Sequence, residues 1–282
     1  MPWAQIGTSD IYFQEAGEGQ PLVFLHGMSS CAEAWFQQFE AFSPFFRVIA
    51  YDSVNHGHSA NSPRDEAEPD RADELEGFLQ ALGLTRPILA GNSMGALTTL
   101  RWAVRHPDAA AALIPSAMGI GPFPGGAARI GAEPLDEQTL FLPVGDSLTE
   151  GLRTRDPLLY ERYLRIRSTA TRLEALRHPR PRSMGRPSRE DLDEGVATIR
   201  SPMLVVVGEL DWLAPNARAL AAAVPGAKLH VVKNSPHNVY YETAAEYNHV
   251  VAEFLAAHKL MPPDARIGGQ HPGLPGKPEG DR

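Results

Sequence analysis

The stretch Pro87-Ile88-Leu89-Ala90-Gly91-Asn92-Ser93-Met94-Gly95 is the one from which the fold can be read. Ile88 to Ala90 is a short apolar run, and Leu97, Leu100, Trp102, Ala103 and Val104 follow in a helical pattern. The reading is strand, sharp turn, helix, with a serine at the tip. Gly91-Asn92-Ser93-Met94-Gly95 fits G-x-S-x-G, a turn so tight that the residues two before and two after the serine nearly touch. Neither position has room for much side chain. The turn raises the Ser93 hydroxyl above the sheet edge. The helix behind it aims free N–H groups and the positive end of its dipole at the same place. Alone, the pentapeptide is weak evidence, because an ordinary turn whose serine caps the helix has the same composition. Its context decides.

Upstream, Asp10 to Ala16 and Leu22 to Leu25 read as strands, the second ending in His26-Gly27-Met28-Ser29-Ser30. Ala32 to Phe42 reads as a helix. Arg47 to Tyr51 is a strand running into Asp52, Gly57, His58 and Ser59. Polar residues 60–70 form a loop, and Ala72 to Leu82 is a helix stopped by Gly83. Downstream, Ala109 to Pro115, Met203 to Val207 and Lys228 to Val232 are strands, and Ala217 to Val224 and Ala244 to His258 are helices. Continuously apolar strands alternating with helices predict an α/β fold, a mostly parallel sheet flanked by helices. In such sheets the active site lies beyond the carboxyl ends of the strands. Residues 1–118 and 196–261 are expected to form this core. Residues 119–195 break the pattern, with Gly/Pro-rich and Arg-rich stretches around a helical segment at 145–177, and are read as a helical lid insertion. Residues 262–282 are rich in Gly and Pro, without periodicity, and are expected to be a disordered tail.

With 282 residues, the chain has the length of one domain carrying an insertion, and its net charge of −8 argues against non-specific nucleic-acid binding. The one cysteine, Cys31, excludes an internal disulfide and a thiol-rich metal site, and reads as a small buried filler. The N-terminus shows no secretory pattern and no stretch reaches the ~18 apolar residues of a membrane span, so a cytoplasmic location is the default. The expected partner is a small-molecule substrate, with no nucleic acid and no membrane. Homo-oligomerisation stays open.

A nucleophilic serine needs a base, and the base needs a carboxylate to orient it. The loop after the strand at 203–207 offers Asp211, and the loop after 228–232 offers His237. The order Ser93, Asp211, His237 is the one that goes with G-x-S-x-G. Asp211 also suits a turn or helix cap, and Glu209 competes as the acid but lies nearer the strand. His26 reads as holding the loop beside the oxyanion site and as a substrate-side candidate. His56 and His58 read as loop packing or solvated. Backbone N–H groups of Met94 and Met28 are the expected oxyanion donors. Trp35 and Trp102 read as core, whereas Trp212, beside Asp211, is a substrate-binding candidate. No metal or cofactor is required.

With these residues in view, the chain resembles the α/β-hydrolase superfamily over nearly all of residues 8–258. Gly-Asn-Ser-Met-Gly is similar to the elbow of the meta-cleavage-product hydrolases, which cut a carbon–carbon bond in dienoate products of aromatic ring cleavage. Asp156 to Tyr163 resembles their lid, and the segment around Glu246-Tyr247-Asn248 resembles their closing helix. The resemblance implies that Arg162 binds the anionic end of a substrate, with Asn92 and Asn238 as further substrate-side candidates. The chain departs from that branch at Met28-Ser29-Ser30 in place of a Gly-rich loop, Ala96 for Gly, Pro236 for Gly, and Asn238 for Trp. These departures put ester hydrolysis ahead of carbon–carbon cleavage. A non-catalytic ligand-binding member of the fold would lack a triad residue, and none is missing.

Overall fold

A computed structural model describes residues 2–62, 70–122, 148–170, 189–262, 265 and 267. Eight strands, β1 Trp3–Ile6, β2 Ser9–Ala16, β3 Pro21–Leu25, β4 Arg47–Tyr51, β5 Ile88–Asn92, β6 Ala112–Ser116, β7 Leu204–Gly208 and β8 Lys228–Val232, form one sheet. Their order is β1-β2-β4-β3-β5-β6-β7-β8. From β4 to β8 neighbours are parallel, while β1–β2 and β2–β4 pair antiparallel. The hairpin partner β1 was not among the expected strands. It has four residues that alternate between exposed and half-buried, too short and too wet to show an apolar run. Gly7, at φ +57°, makes its turn into β2.

Alternation along the strands divides the core. Leu22, Phe24, Val48, Ala50, Ile88 and Ala90 face one side, where α1 (Phe36–Phe42) and the last helix pack. Val23, Leu25, Ile49, Tyr51 and Leu89 face the other, against α2 (Arg71–Ala81) and α3 (Met94–Arg105). Trp35 is fully buried between the rings of Phe24 and Tyr240, and Trp102 is buried with its indole N–H on Glu76, as core readings require. Cys31 is buried as well, and burial pushes its thiol up to about 12.

Between β6 and β7 stand α4 (Leu152–Arg155), α5 (Pro157–Ala170) and α6 (Arg189–Gly195). Leu152, Tyr163, Ile166 and Ala170 join the first core side, so this segment is anchored on the sheet's own hydrophobic cluster. Residues 123–147 and 171–188, which carry much of the expected lid, lie outside the described residues. Helix α7 (Ala214–Ala223) follows β7, and the short α8 (Val239–Glu242) leading into α9 (Ala244–Ala257) follows β8. Within the expected disordered tail, Ala265 and Ile267 instead pack against the core, Ala265 N–H donating to Pro262 C=O at 3.1 Å. They extend the apolar edge left by Leu260 and Met261.

Candidate active site

Ser93 sits where β5 turns into α3, with φ +53° and ψ −110°, a conformation that costs a non-glycine residue about 1–3 kcal/mol. Crowding explains its glycine flanks. A Cβ on Gly91 would collide with the Gly95 backbone, and one on Gly95 would collide with the Leu25 carbonyl at the end of β3. The Ser93 side chain makes no capping bond to the helix it precedes, so the capping alternative does not hold. Its N–H donates to Ser116 C=O of β6 at 2.9 Å, which locks the apex to the sheet. As the first helical residue, Met94 has no intrahelical acceptor for its N–H, as an oxyanion donor needs. The loop after β3 passes alongside: a Cβ on Gly27 would stand 3.5 Å from Ser93 Cβ. Met28 is the next residue, with an exposed side chain.

The loops after β7 and β8 are knitted together. Glu209 N–H donates to Val232 C=O at 2.9 Å and Leu210 N–H to Ser235 C=O at 3.0 Å. A Cβ on Gly208 would strike the Ser235 and Pro236 carbonyls, so glycine permits the close approach. That approach sets Asp211 beside His237. Both carboxylate oxygens of Asp211 lie 3.1 Å from His237 Nδ1. Asp211 is fully buried, and its Oδ1 also accepts from Leu213 N–H at 2.9 Å. The turn role and the pairing role therefore belong to the same residue. A carboxylate can only accept, so Nδ1 carries a proton, the arrangement in which the neutral ring has its lone pair on Nε2. Glu209 is exposed and accepts instead from Asn234 N–H at 3.0 Å. Trp212 stacks on His237, with centroids 6.1 Å apart and planes 18° apart.

His26 is a different kind of histidine. Ser53 N–H donates to its Nε2 at 3.0 Å, so Nδ1 must carry the proton, which goes to Gly27 C=O at 2.8 Å. Both nitrogens are used inside the protein and the ring is 1% exposed, so the substrate-side expectation for His26 is corrected to the loop-holding one. Burial pushes its pKa down, with Arg71 adding to the shift and Asp52 opposing it. Asp52, fully buried, accepts from Ala32 N–H at 2.7 Å and His58 N–H at 2.8 Å. A Cβ on Gly57 would collide with this carboxylate, which accounts for the spacing of Asp52, Gly57 and His58. His58 is half-exposed, and His56 packs its ring 5.0 Å from that of His26.

Asn238 is likewise corrected as a substrate contact. Its Oδ1 accepts from Asn92 Nδ2 at 3.0 Å, and its Nδ2 donates to the Tyr163 hydroxyl at 2.8 Å. Asn92, 1% exposed, is thereby turned toward Asn238. Arg162 is placed over the Phe36 ring, 3.5 Å from its centroid, and 3.8 Å from the Glu33 carboxylate. Its charge already has a carboxylate and an aromatic face to answer it, unlike the open anion site implied by the resemblance. Sequence reading placed Tyr163 in the lid-like segment after Arg162 but gave it no part in the site. The available signal was Asn238 itself, because a polar amide beside a base, once buried, requires partners. Among the described residues no group of three His, Cys, Asp or Glu side chains is arranged to hold a metal ion.

With this geometry in view, comparison with known proteins is specific. The model of the alpha/beta hydrolase family matches residues 22–250. A 2-hydroxy-6-oxo-6-phenylhexa-2,4-dienoate hydrolase of Comamonas testosteroni is 29% identical over 265 residues, covering 87% of this chain and 91% of that protein. A 2-(acetamidomethylene)succinate hydrolase of Mesorhizobium japonicum is 27% identical over 256 residues, covering 82% and 89%. The crystal structure of the enol-lactonase from Burkholderia xenovorans superposes with a TM-score of 0.74 at 23% identity, covering 90% of this chain and 100% of that one. The chain is an enzyme and belongs to the alpha/beta hydrolase family.

Proposed function

We propose that this enzyme is a serine hydrolase that cleaves a small carboxylic ester or related acyl substrate through an acyl-enzyme. His237 Nε2 takes the proton of Ser93 Oγ, and the oxygen attacks the substrate carbonyl carbon. The electron pair displaced onto the carbonyl oxygen is met by the Met28 and Met94 N–H groups. Collapse expels the alcohol, which leaves with the proton held by His237. A water then gives its proton to His237 and attacks the acyl carbon. The acid departs and Ser93 regains its proton. Asp211 keeps the imidazole oriented and balances its transient charge. The observation that carries this reading is the Asp211–His237 pair, whose loop after β8 meets the strained elbow through the Asn238–Asn92 bond one residue from Ser93. Residues 119–195 act as the lid in this proposal, with Tyr163 of α5 reaching the residue next to the base. A reducing cytoplasm suits the single buried thiol of Cys31.

Covalent labelling by a fluorophosphonate tests the proposal. The folded wild type is expected to label at one site and Ser93→Ala not at all; a folded wild type that stays unlabelled overturns it. A second reading, carbon–carbon hydrolysis of a dienoate, is favoured by the 29% identity to a dienoate hydrolase across most of its length. Turnover of a ring-cleavage dienoate against p-nitrophenyl acetate separates the two. Glu33 and Phe36 already occupy Arg162, so Arg162→Ala is expected to leave KM for an anionic substrate unchanged, and a raised KM favours the second reading.

A further inference from the structure

We propose that Asn238 and Tyr163 are positioning residues that set His237 against Ser93, so that helix α5 of the inserted segment governs the chemical step. This inference rests on the serine-hydrolase reading above. Asn92 immediately precedes the nucleophile and Asn238 immediately follows the base. Their side chains, 146 residues apart in sequence, meet at 3.0 Å in a buried bond. The Asp211 carboxylate holds Nδ1 from both oxygens, which orients the ring from the loop after β7. The Asn92–Asn238 bond ties the loop after β8 directly to the elbow, one residue from His237 and one from Ser93.

The bond is itself held from the inserted segment. Asn238 is 6% exposed and its Nδ2 donates to the Tyr163 hydroxyl at 2.8 Å, so both ends of the amide are held. Asn92 Oδ1 is buried without a partner, which leaves Asn238 as the polar group that holds this side chain among the described residues. Tyr163 is 4% exposed and stands edge-on to Tyr241 with centroids 5.1 Å apart. Tyr241 lies on α8, directly after the base loop, and its hydroxyl donates to Leu159 C=O of α5 at 3.0 Å. On the same short helix, Glu242 has a side chain 1% exposed and accepts from Thr149 N–H at 2.7 Å and from Arg155. The base loop and the inserted helices are therefore tied at several points, and the Tyr163 hydroxyl is the tie that reaches the catalytic groups.

Tyr163→Phe removes one hydroxyl and keeps the ring against Tyr241. It is expected to slow fluorophosphonate inactivation and to lower kcat for p-nitrophenyl acetate by about tenfold with KM unchanged, the effect of a misplaced catalytic group. Asn238→Ala is expected to lose at least as much, and the double variant no more than Asn238→Ala alone. The pH profile of inactivation should move in Tyr163→Phe, which a purely structural hydroxyl would not cause. Circular dichroism melting confirms that each variant is folded; if Asn238→Ala is not, Asn238→Ser replaces it in the cycle. A Tyr163→Phe enzyme with wild-type kcat, additive losses in the cycle, or a change in KM alone overturns the inference. Wild type that never labels overturns the serine-hydrolase reading as well, so the two failures are told apart.

Discussion

Two histidine–aspartate sets stand at the carboxyl end of one sheet, made of the same residue types, and they differ in what their nitrogens and carboxylates meet. His26 and Asp52 follow β3 and β4; His237 and Asp211 follow β8 and β7. All but His237 are almost wholly buried, and His237 keeps a side chain 12% exposed. The decisive difference is how the nitrogens are spent. His26 has both engaged by backbone groups of Ser53 and Gly27. His237 has Nδ1 engaged by Asp211, and its Nε2 makes no hydrogen bond among the described residues. Asp52 accepts from backbone N–H groups of Ala32 and His58 and meets the half-exposed His58 ring, but makes no hydrogen bond to His26, whereas Asp211 accepts from Leu213 N–H and pairs with the His237 imidazole itself. A base needs a lone pair that the fold has not consumed, and one set has it.

Substitutions can break this contrast, and the largest effect is expected at Ser93, the proposed nucleophile. Ser93→Ala should lower ester turnover by about 10⁶ if Ser93, His237 and Asp211 act as a unit. Burst and steady-state assays of purified protein check it, and residual turnover above a hundredth of wild type contradicts the assignment. Next comes Asp211→Asn, where loss of the correct tautomer is expected to cost about 10⁴ in kcat with the fold intact. In the other set the losses should appear in stability. Asp52→Ala leaves the N–H groups of Ala32 and His58 without their acceptor and is expected to cost about 2–4 kcal/mol in urea unfolding. If instead it abolishes turnover while the unfolding curve stays put, the two sets are not different in kind.

The smallest effect is a pH dependence. His26 has its pKa lowered in the folded state from 6.5 by burial, with Arg71 adding, Asp52 opposing and the His56 ring beside it. The folded protein therefore binds this proton less readily than the unfolded chain. The corresponding stability is fully present above pH 6.5 and is lost as pH falls below it toward the folded value. Unfolding free energies measured across that window should slope less in His26→Asn than in wild type. Equal slopes would show that burial of His26 carries no linkage.

Much of this was legible in the residues. The runs at Leu22–Leu25 and Arg47–Tyr51 correspond to strands within a residue, because buried parallel strands show as nearly unbroken apolar stretches, and Lys228–Val232 matches as well although it is the edge strand, buried only at Val232. Asp211 and His237 could be placed because each follows its own strand, and parallel strands all end at the same edge. Less legible was everything that depends on who stands opposite. Arg162 has the same letter whether it meets a substrate or Glu33, and Asn92 and Asn238 lie too far apart in sequence for any periodicity to connect them. Strand β1 escaped because four half-wet residues earn their place through a hairpin partner rather than through apolar content.

By itself, then, the chain determined its α/β architecture, the glycines around Ser93, and the sheet edge at which Ser93, Asp211 and His237 gather. Those follow from local physics: apolar periodicity, tight-turn sterics, and the common direction of parallel strands. Tertiary structure alone decided which histidine keeps a free nitrogen, which cation is already paired, and that Asn92, Asn238 and Tyr163 form one line across the site. A side chain's hydrogen bonds are limited in number, and how they are spent is settled only when distant segments of chain are brought together.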